Sequence, residues 1–181
     1  MTSTAVTTGT WALDPSHTEI GFTVRHLVSK VRGKFETFEG TITSADDVTA
    51  STVNVSVDLA SVNTGTADRD AHLRSGDFFN AEENPKMTFV STGIVEKAEG
   101  EFVVTGDLTI KGTTKSVDLA TEFLGEGGDP WGGTRVGLEA TTTISRKDFG
   151  IDFNIPVDGA DKLMIGDKIT INIVAEAVLQ A

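Results

Sequence analysis

The chain has 181 residues, 38% hydrophobic and 23% charged, which is enough apolar material for a core in one large or two small domains. It contains no cysteine, which excludes a disulfide framework, a thiolate metal site and a cysteine nucleophile. The formal net charge of -12 opposes nucleic-acid phosphates and anionic membranes, and no run of Lys or Arg offers a local basic patch, so neither partner is expected.

The opening MTSTAVTTGT has no basic and apolar regions of the kind that make a signal peptide, so residues 1–9 are expected to be a flexible N-terminus. The expected location is cytoplasmic, with a secreted or periplasmic protein as the alternative. No apolar stretch approaches the roughly 18 residues of a membrane-spanning helix, so no stable membrane insertion is expected.

From residue 10 onwards, period-two alternation dominates. Ile20, Phe22 and Val24 share one strand face, with Glu19, Thr23 and Arg25 on the other. The segment from Gly33 to Ile42 breaks parity between Phe35 and Phe38, which predicts a bulge or a sharp bend. Val53, Val55, Val57 and Leu59 form the next inward set.

Thr64 to Asn84 departs from the pattern. Thr66 is placed to cap a short helix with Asp68 and Asp70 in its first turn, and Asp70 and Arg74 have the favourable i, i+4 spacing. Gly76 is the expected helix stop, within a helical segment of about 66–79.

Alternation then resumes. Phe102, Val104, Leu108 and Ile110 share one parity, as do Val117, Leu119 and Phe123, then Val136, Leu138, Ala140 and Ile144, and finally Ile169 to Leu179. Turns at Glu99-Gly100 and Gly112-Thr113 predict hairpins. Gly125 to Thr134 reads as a long loop with Trp131 at its tip, and residues 148–167 as a further irregular stretch. With no repeat and no linker, residues 10–181 form a single domain. Wet-and-dry strands of this length predict an antiparallel sandwich or closed barrel, and about eight strands leave room for one small ligand.

Motifs for catalysis are sparse. His17 and His26 are nine residues apart, an odd spacing that sends them to opposite strand faces, and His72 lies on the helix. Three imidazoles can bind zinc, but here a bulge and a folded-over helix would be needed to join them. No G-x-S-x-G elbow occurs, the Gly-rich 125–133 segment lacks the Lys-Ser/Thr of a phosphate loop, and Asp158 to Asp161 has only part of a calcium loop. The carboxylates lie mainly on polar strand faces and in turns. The aromatic usage is more pointed: ten Phe, two Trp and no Tyr. Phe78 and Phe79, adjacent and outside any strand, either plug one end of a barrel or line a ligand tunnel.

One set of motifs resembles a known family. The run Trp11-Ala-Leu-Asp14-Pro-Ser-His17-Thr-Glu-Ile20-Gly-Phe22-Thr-Val24-Arg-His26-Leu27 is similar to the opening of the YceI-like family. Gly33-Lys-Phe35 and Phe38-Glu-Gly40 continue it. Arg69-Asp70-Ala71-His72-Leu73-Arg74-Ser75-Gly76-Asp77-Phe78-Phe79 is its strongest stretch, followed by Pro85 to Phe89, Gly106 to Gly112 and Arg146 to Gly150.

The resemblance implies an all-β, eight-stranded antiparallel lipocalin-like barrel. It also implies a bound isoprenoid or similar amphiphile (a quinone or a prenyl pyrophosphate) and a homodimer in many members; no covalent cofactor is expected. On that reading Ile20, Phe22, Val24, His26, Phe89, Phe102, Val104, Leu108, Leu119 and Phe123 supply the wall. Phe78 and Phe79 line or gate the entrance, and Arg69, His72 and Arg74 meet a polar head beside the helix N-terminus. Two rival readings remain: an enzyme acting on lipid or using a metal through His26 and His72, and a stress-related scaffold whose cavity its own side chains close.

Overall fold

The computed structural model describes residues 4–157 and 162–181. The strands are β1 (Gly9–Leu13), β2 (Glu19–His26), β3 (Ser29–Phe35), β4 (Phe38–Ser44), β5 (Thr52–Asp58), β6 (Val62–Asn63), β7 (Lys86–Ala98), β8 (Glu101–Ile110), β9 (Thr113–Gly128), β10 (Thr134–Ser145), β11 (Pro156–Val157), β12 (Lys162–Leu163) and β13 (Ile165–Leu179). Among the described residues, one α-helix, α1 (Ala67–Arg74), lies between β6 and β7.

All pairings are antiparallel, and the order β1-β4-β5-β7-β8-β9-β10-β13 returns to β1. The result is an eight-stranded closed barrel, in which closure leaves no long edge to template aggregation. Two barrel positions are occupied by bent strands. β2 pairs with the first part of β13 and β1 with its last part, so β1 and β2 are two halves of one position. They are divided by a 3-10 turn at Pro15–His17 that Asp14 caps through the Ser16 amide. β3 and β4 repeat this arrangement against β2 and β1. The parity break expected after Gly33 is therefore a bend at Glu36-Thr37, across which one strand changes partner.

The inward parity is as the alternation predicts, and it produces close contacts where two large groups would collide. Phe22 faces Gly33 across the β2–β3 ladder, and a Cβ at Gly33 would lie 2.4 Å from the Phe22 ring. Glycine here lets the ring lie flat on the backbone. The β8–β9 hairpin turns on Lys111-Gly112, both at positive φ (53° and 78°), one residue earlier than the Gly112-Thr113 expected, because Thr113 already pairs with Ile110.

Other boundaries also shift. The expected 125–134 loop shrinks to Asp129–Gly133, since β9 and β10 continue their ladder to Thr134 and Gly128. Glycines 125, 127 and 128 hide a strand because they carry no side chain to alternate. Trp131 does stand at the tip, 79% exposed. The helix stops at Arg74 rather than running to 79. Ser75, not Gly76, caps it in an extended conformation, and turns occupy the chain through Asn84. Leu59, itself buried, opens a 3-10 turn after β5. Thr4 and Thr7 hydrogen-bond to Glu96 and Glu126, laying the start of the described chain along the barrel.

The two ends of the barrel differ. Trp11, 0% exposed, plugs one end together with Val136, Ala177, Phe123 and Leu13. Its indole donates to Ser44 Oγ at 2.9 Å, and Ser44 donates on to the Thr7 carbonyl at 2.6 Å, so the buried N–H is satisfied. At the other end the barrel is roofed by α1, the 75–84 turns and the 146–155 segment. No helix among the described residues is long and apolar enough to cross a membrane.

Candidate functional site

Several inward apolar residues of the roofed end are only half-buried. Phe22, Val24, Val31, Ile165, Ile169 and Ile171 face a cavity of about 400 Å³ rather than one another. Its floor at Ile20, Met87 and Ile171 is shared with a second, smaller volume of about 140 Å³ lower in the barrel. The larger volume falls within the roughly 300–1,000 Å³ of small-molecule sites. The barrel interior is therefore not filled by its own side chains, which disfavours the closed-scaffold reading.

The sequence-predicted wall divides between the two levels. Ile20, Phe22, Val24, His26, Arg69, His72, Phe78 and Phe79 line the larger cavity. Phe89, Val104, Leu108 and Leu119 line only the smaller one. Phe102 and Phe123 line neither: both are inward but lie at the closed end, where Phe123 packs on the Trp11 cluster. Strand parity reports the face of a residue, not its height along the barrel axis. Phe78 is buried and Phe79 half-buried, and both reach the cavity because they sit in turns rather than on a strand.

The roof is held by two polar networks. Asp70, expected to pair with Arg74, instead turns back to accept from the Thr64 amide at 2.8 Å and the Thr64 hydroxyl at 2.5 Å. Arg69 donates from Nε to Thr64 Oγ1 and from Nη2 to the Thr64 carbonyl, each at 2.7 Å. Thr66, the expected cap, makes no side-chain capping bond, and these bonds instead fix the chain that enters the helix. Arg74 is left outside both the network and the cavity. His72 bonds to Asp77 through Nε2 at 2.8 Å, and its ring stands edge-on to Phe78 and Phe153 at 4.9 and 5.0 Å.

Sequence reasoning gave no role to Arg146, which is 4% exposed and lines the cavity. Its guanidinium donates to the carbonyls of Gly166, Ile151, Phe153 and Ile165, and Asp167 lies 3.6 Å away. Burial pushes its pKa down, opposed by Asp167 and Asp152. A cation sequestered this way ties the 151–153 segment to the start of β13 and keeps the roof in place. Phe149, Ile151 and Met164 complete the wall from the stretch that looked irregular in sequence.

His26 and His72 line the same cavity, His72 with its Nε2 bonded to Asp77, whereas His17 lies outside it and bonds to Asp14. No group of three or more His, Asp or Glu among the described residues is arranged to hold a metal ion. The partial calcium loop at Asp158–Asp161 lies outside the described residues.

Relatives share this architecture. The family model for the YceI-like domain matches residues 11–177. A UPF0312 protein of Vibrio vulnificus (strain YJ016) is 44% identical over 146 residues, covering 80% of this chain and 75% of the relative. Among solved structures, a Campylobacter jejuni YCEI protein superposes with a TM-score of 0.73 at 32% identity, covering 93% of this chain and 97% of that one. Burkholderia cenocepacia BcnA gives a TM-score of 0.80 at 20% identity, over 91% and 98% of the two chains. A polyisoprenoid binding domain from Saccharophagus degradans, implicated in plant cell wall breakdown, gives 0.69 at 16% identity, over 94% and 98%. The last two likenesses are of fold alone. With residues 11–177 matched by the family model and its fold shared with a solved relative, the chain belongs to the YceI-like domain family.

Proposed function

We propose that this protein binds and sequesters or carries a long-chain isoprenoid or similar amphiphile, its tail in the roofed end of the barrel. The observation that supports this best is the cavity of about 400 Å³ with an almost wholly hydrocarbon wall, continued below by a second apolar volume. The polyisoprenoid-binding description of the Saccharophagus degradans neighbour is consistent with such a ligand. Burial is worth about 0.8 kcal/mol per methylene, so an apolar tail binds with few polar contacts.

The polar groups at the cavity favour a neutral head such as a quinone over a diphosphate. Arg69 is engaged by Thr64, Arg146 by four carbonyls, and Asp68 adds a carboxylate to the lining. Pulling either arginine onto a diphosphate would leave the roof's own acceptors unpaired. Displacement of a bound fluorescent amphiphile tests the order. A prenyl quinone is expected to compete at lower concentration than a prenyl diphosphate of equal chain length. The reverse order contradicts the head-group assignment, and failure of both contradicts a lipid ligand.

A further inference from the structure

We propose that the tip of the β2–β3 hairpin is a docking surface for an anionic lipid bilayer, placing the cavity against the membrane from which cargo is exchanged. The exchange role rests on the lipid-binding reading above, whereas the docking itself rests on the hairpin alone.

The sequence shows no run of basic residues, but the fold assembles a basic face from alternate positions. β2 and β3 pair Arg25 with Lys30, Thr23 with Arg32 and Gly21 with Lys34. Arg25, Lys30, Arg32 and Lys34 are therefore all on the outer face, and all four are exposed. No Asp or Glu occurs from Ile20 to Phe35, in a chain whose net charge is -12. None of the four cations makes an ion pair among the described residues. Placing Arg25 directly opposite Lys30 costs stability in the isolated protein, because like charges across a ladder repel. An external anionic surface relieves that repulsion.

The tip itself breaks the usual rule for turns. A two-residue hairpin turn favours Gly, Asn or Asp. Here the two residues are Leu27, at φ 53° and 44% exposed, and Val28, 97% exposed. Beside them the backbone runs through Leu27 N–H to the Met164 carbonyl and Met164 N–H to the Ile155 carbonyl. This brings exposed Ile155 and Leu163 next to the hairpin tip. Met164, in the same ladder, lines the cavity with His26. An apolar tip flanked by outward cations matches the interfacial region of a bilayer with anionic headgroups. A nucleic acid would use the cations but not the exposed Leu27 and Val28. The cations point away from the cavity and cannot pair with a head group held inside it.

Vesicle flotation of the full chain tests the proposal. The protein is expected to float with vesicles of phosphatidylcholine and phosphatidylglycerol at low ionic strength, to bind phosphatidylcholine alone far less, and to be released by salt. The double variant K30E/R32E is expected to lower partitioning at least about ten-fold. V28D is expected to lower it as well, and both changes lie at exposed positions. Folding is checked by circular dichroism, and uptake of a prenyl quinone from detergent is expected to be unchanged in both variants. No binding to the anionic vesicles, or equal binding by the charge-reversed variant, overturns the proposal. So does capture of duplex DNA in preference to vesicles, lost on the same reversals. Vesicle binding without quinone uptake by the unaltered protein would instead contradict the ligand reading and leave the docking surface standing.

Discussion

At Asp70 the sequence offers two partners, Arg74 one turn ahead and Thr64 in the preceding loop, and the structure uses the second. Helical spacing brings Asp70 and Arg74 within reach, but an exposed pair of that kind is worth only a few tenths of a kcal/mol. A buried carboxylate that accepts two donors at the helix entrance is worth more. The two readings separate on substitution. Asp70→Ala is expected to destabilise the protein by about 1–3 kcal/mol in denaturant unfolding, because it strips Thr64 of its acceptor. Arg74→Ala is expected to stay within about 0.5 kcal/mol. Comparable losses would show that Arg74 carries the helix. Spacing along a helix was legible in the sequence; the loop that folds back to meet Asp70 was not, since nothing local marks its path. Arg146 was hidden for a related reason, its partners being backbone carbonyls, which have no signature in sequence.

The bent strands show the same division at the scale of elements. Alternation identified the inward faces of β2, β5, β8, β9, β10 and β13 because one face of each meets apolar groups and the other water. It also marked the β3–β4 bend through lost parity. The end of β9 was missed where a bulge at Leu124 and the glycines from Gly125 onward interrupt the pattern. The β1–β2 bend carries an ion network. Asp14 holds Arg135 at 2.7 Å and His17 at 2.9 Å, and Arg135 also reaches Asp129 and Glu176. Hydrogen bonds from Arg135, then His17, bring the Asp14 carboxyl from its ordinary 3.8 down to about 2. Arg135 is correspondingly raised, first by Asp14, and Asp129 lowered, first by Arg135.

Because the folded pKa of Asp14 lies below the unfolded one, its contribution is fully present above about pH 4 and is lost as pH falls through about 2. Asp14→Asn is therefore expected to be less stable than the parent at neutral pH, with the two stabilities converging as pH approaches 2. A difference that stays constant between pH 7 and 2 would contradict the role given to the Asp14 carboxylate.

For the whole molecule, closure of the sheet creates an interior that only side chains or a ligand can fill. At the Trp11 end side chains fill it, and at the α1 end they leave about 400 Å³. The sequence carried the fold class in its alternation and the family in its motifs, yet not which end holds the cavity. Phe102 and Phe123 have the same inward parity as Phe22, and only closure sets their height.

The central claim, that the roofed end holds an amphiphile, is tested most directly by native mass spectrometry of the purified protein, followed by organic extraction of what it carries. The Val24→Trp variant is the control, filling the cavity from its wall without touching the roof networks. The unaltered protein is expected to carry, or to take up from added polyprenyl lipids, one stoichiometric isoprenoid or quinone adduct, and Val24→Trp to fold and carry none. An adduct-free protein that also fails to take up those lipids would contradict the account, as would an adduct retained in full by Val24→Trp.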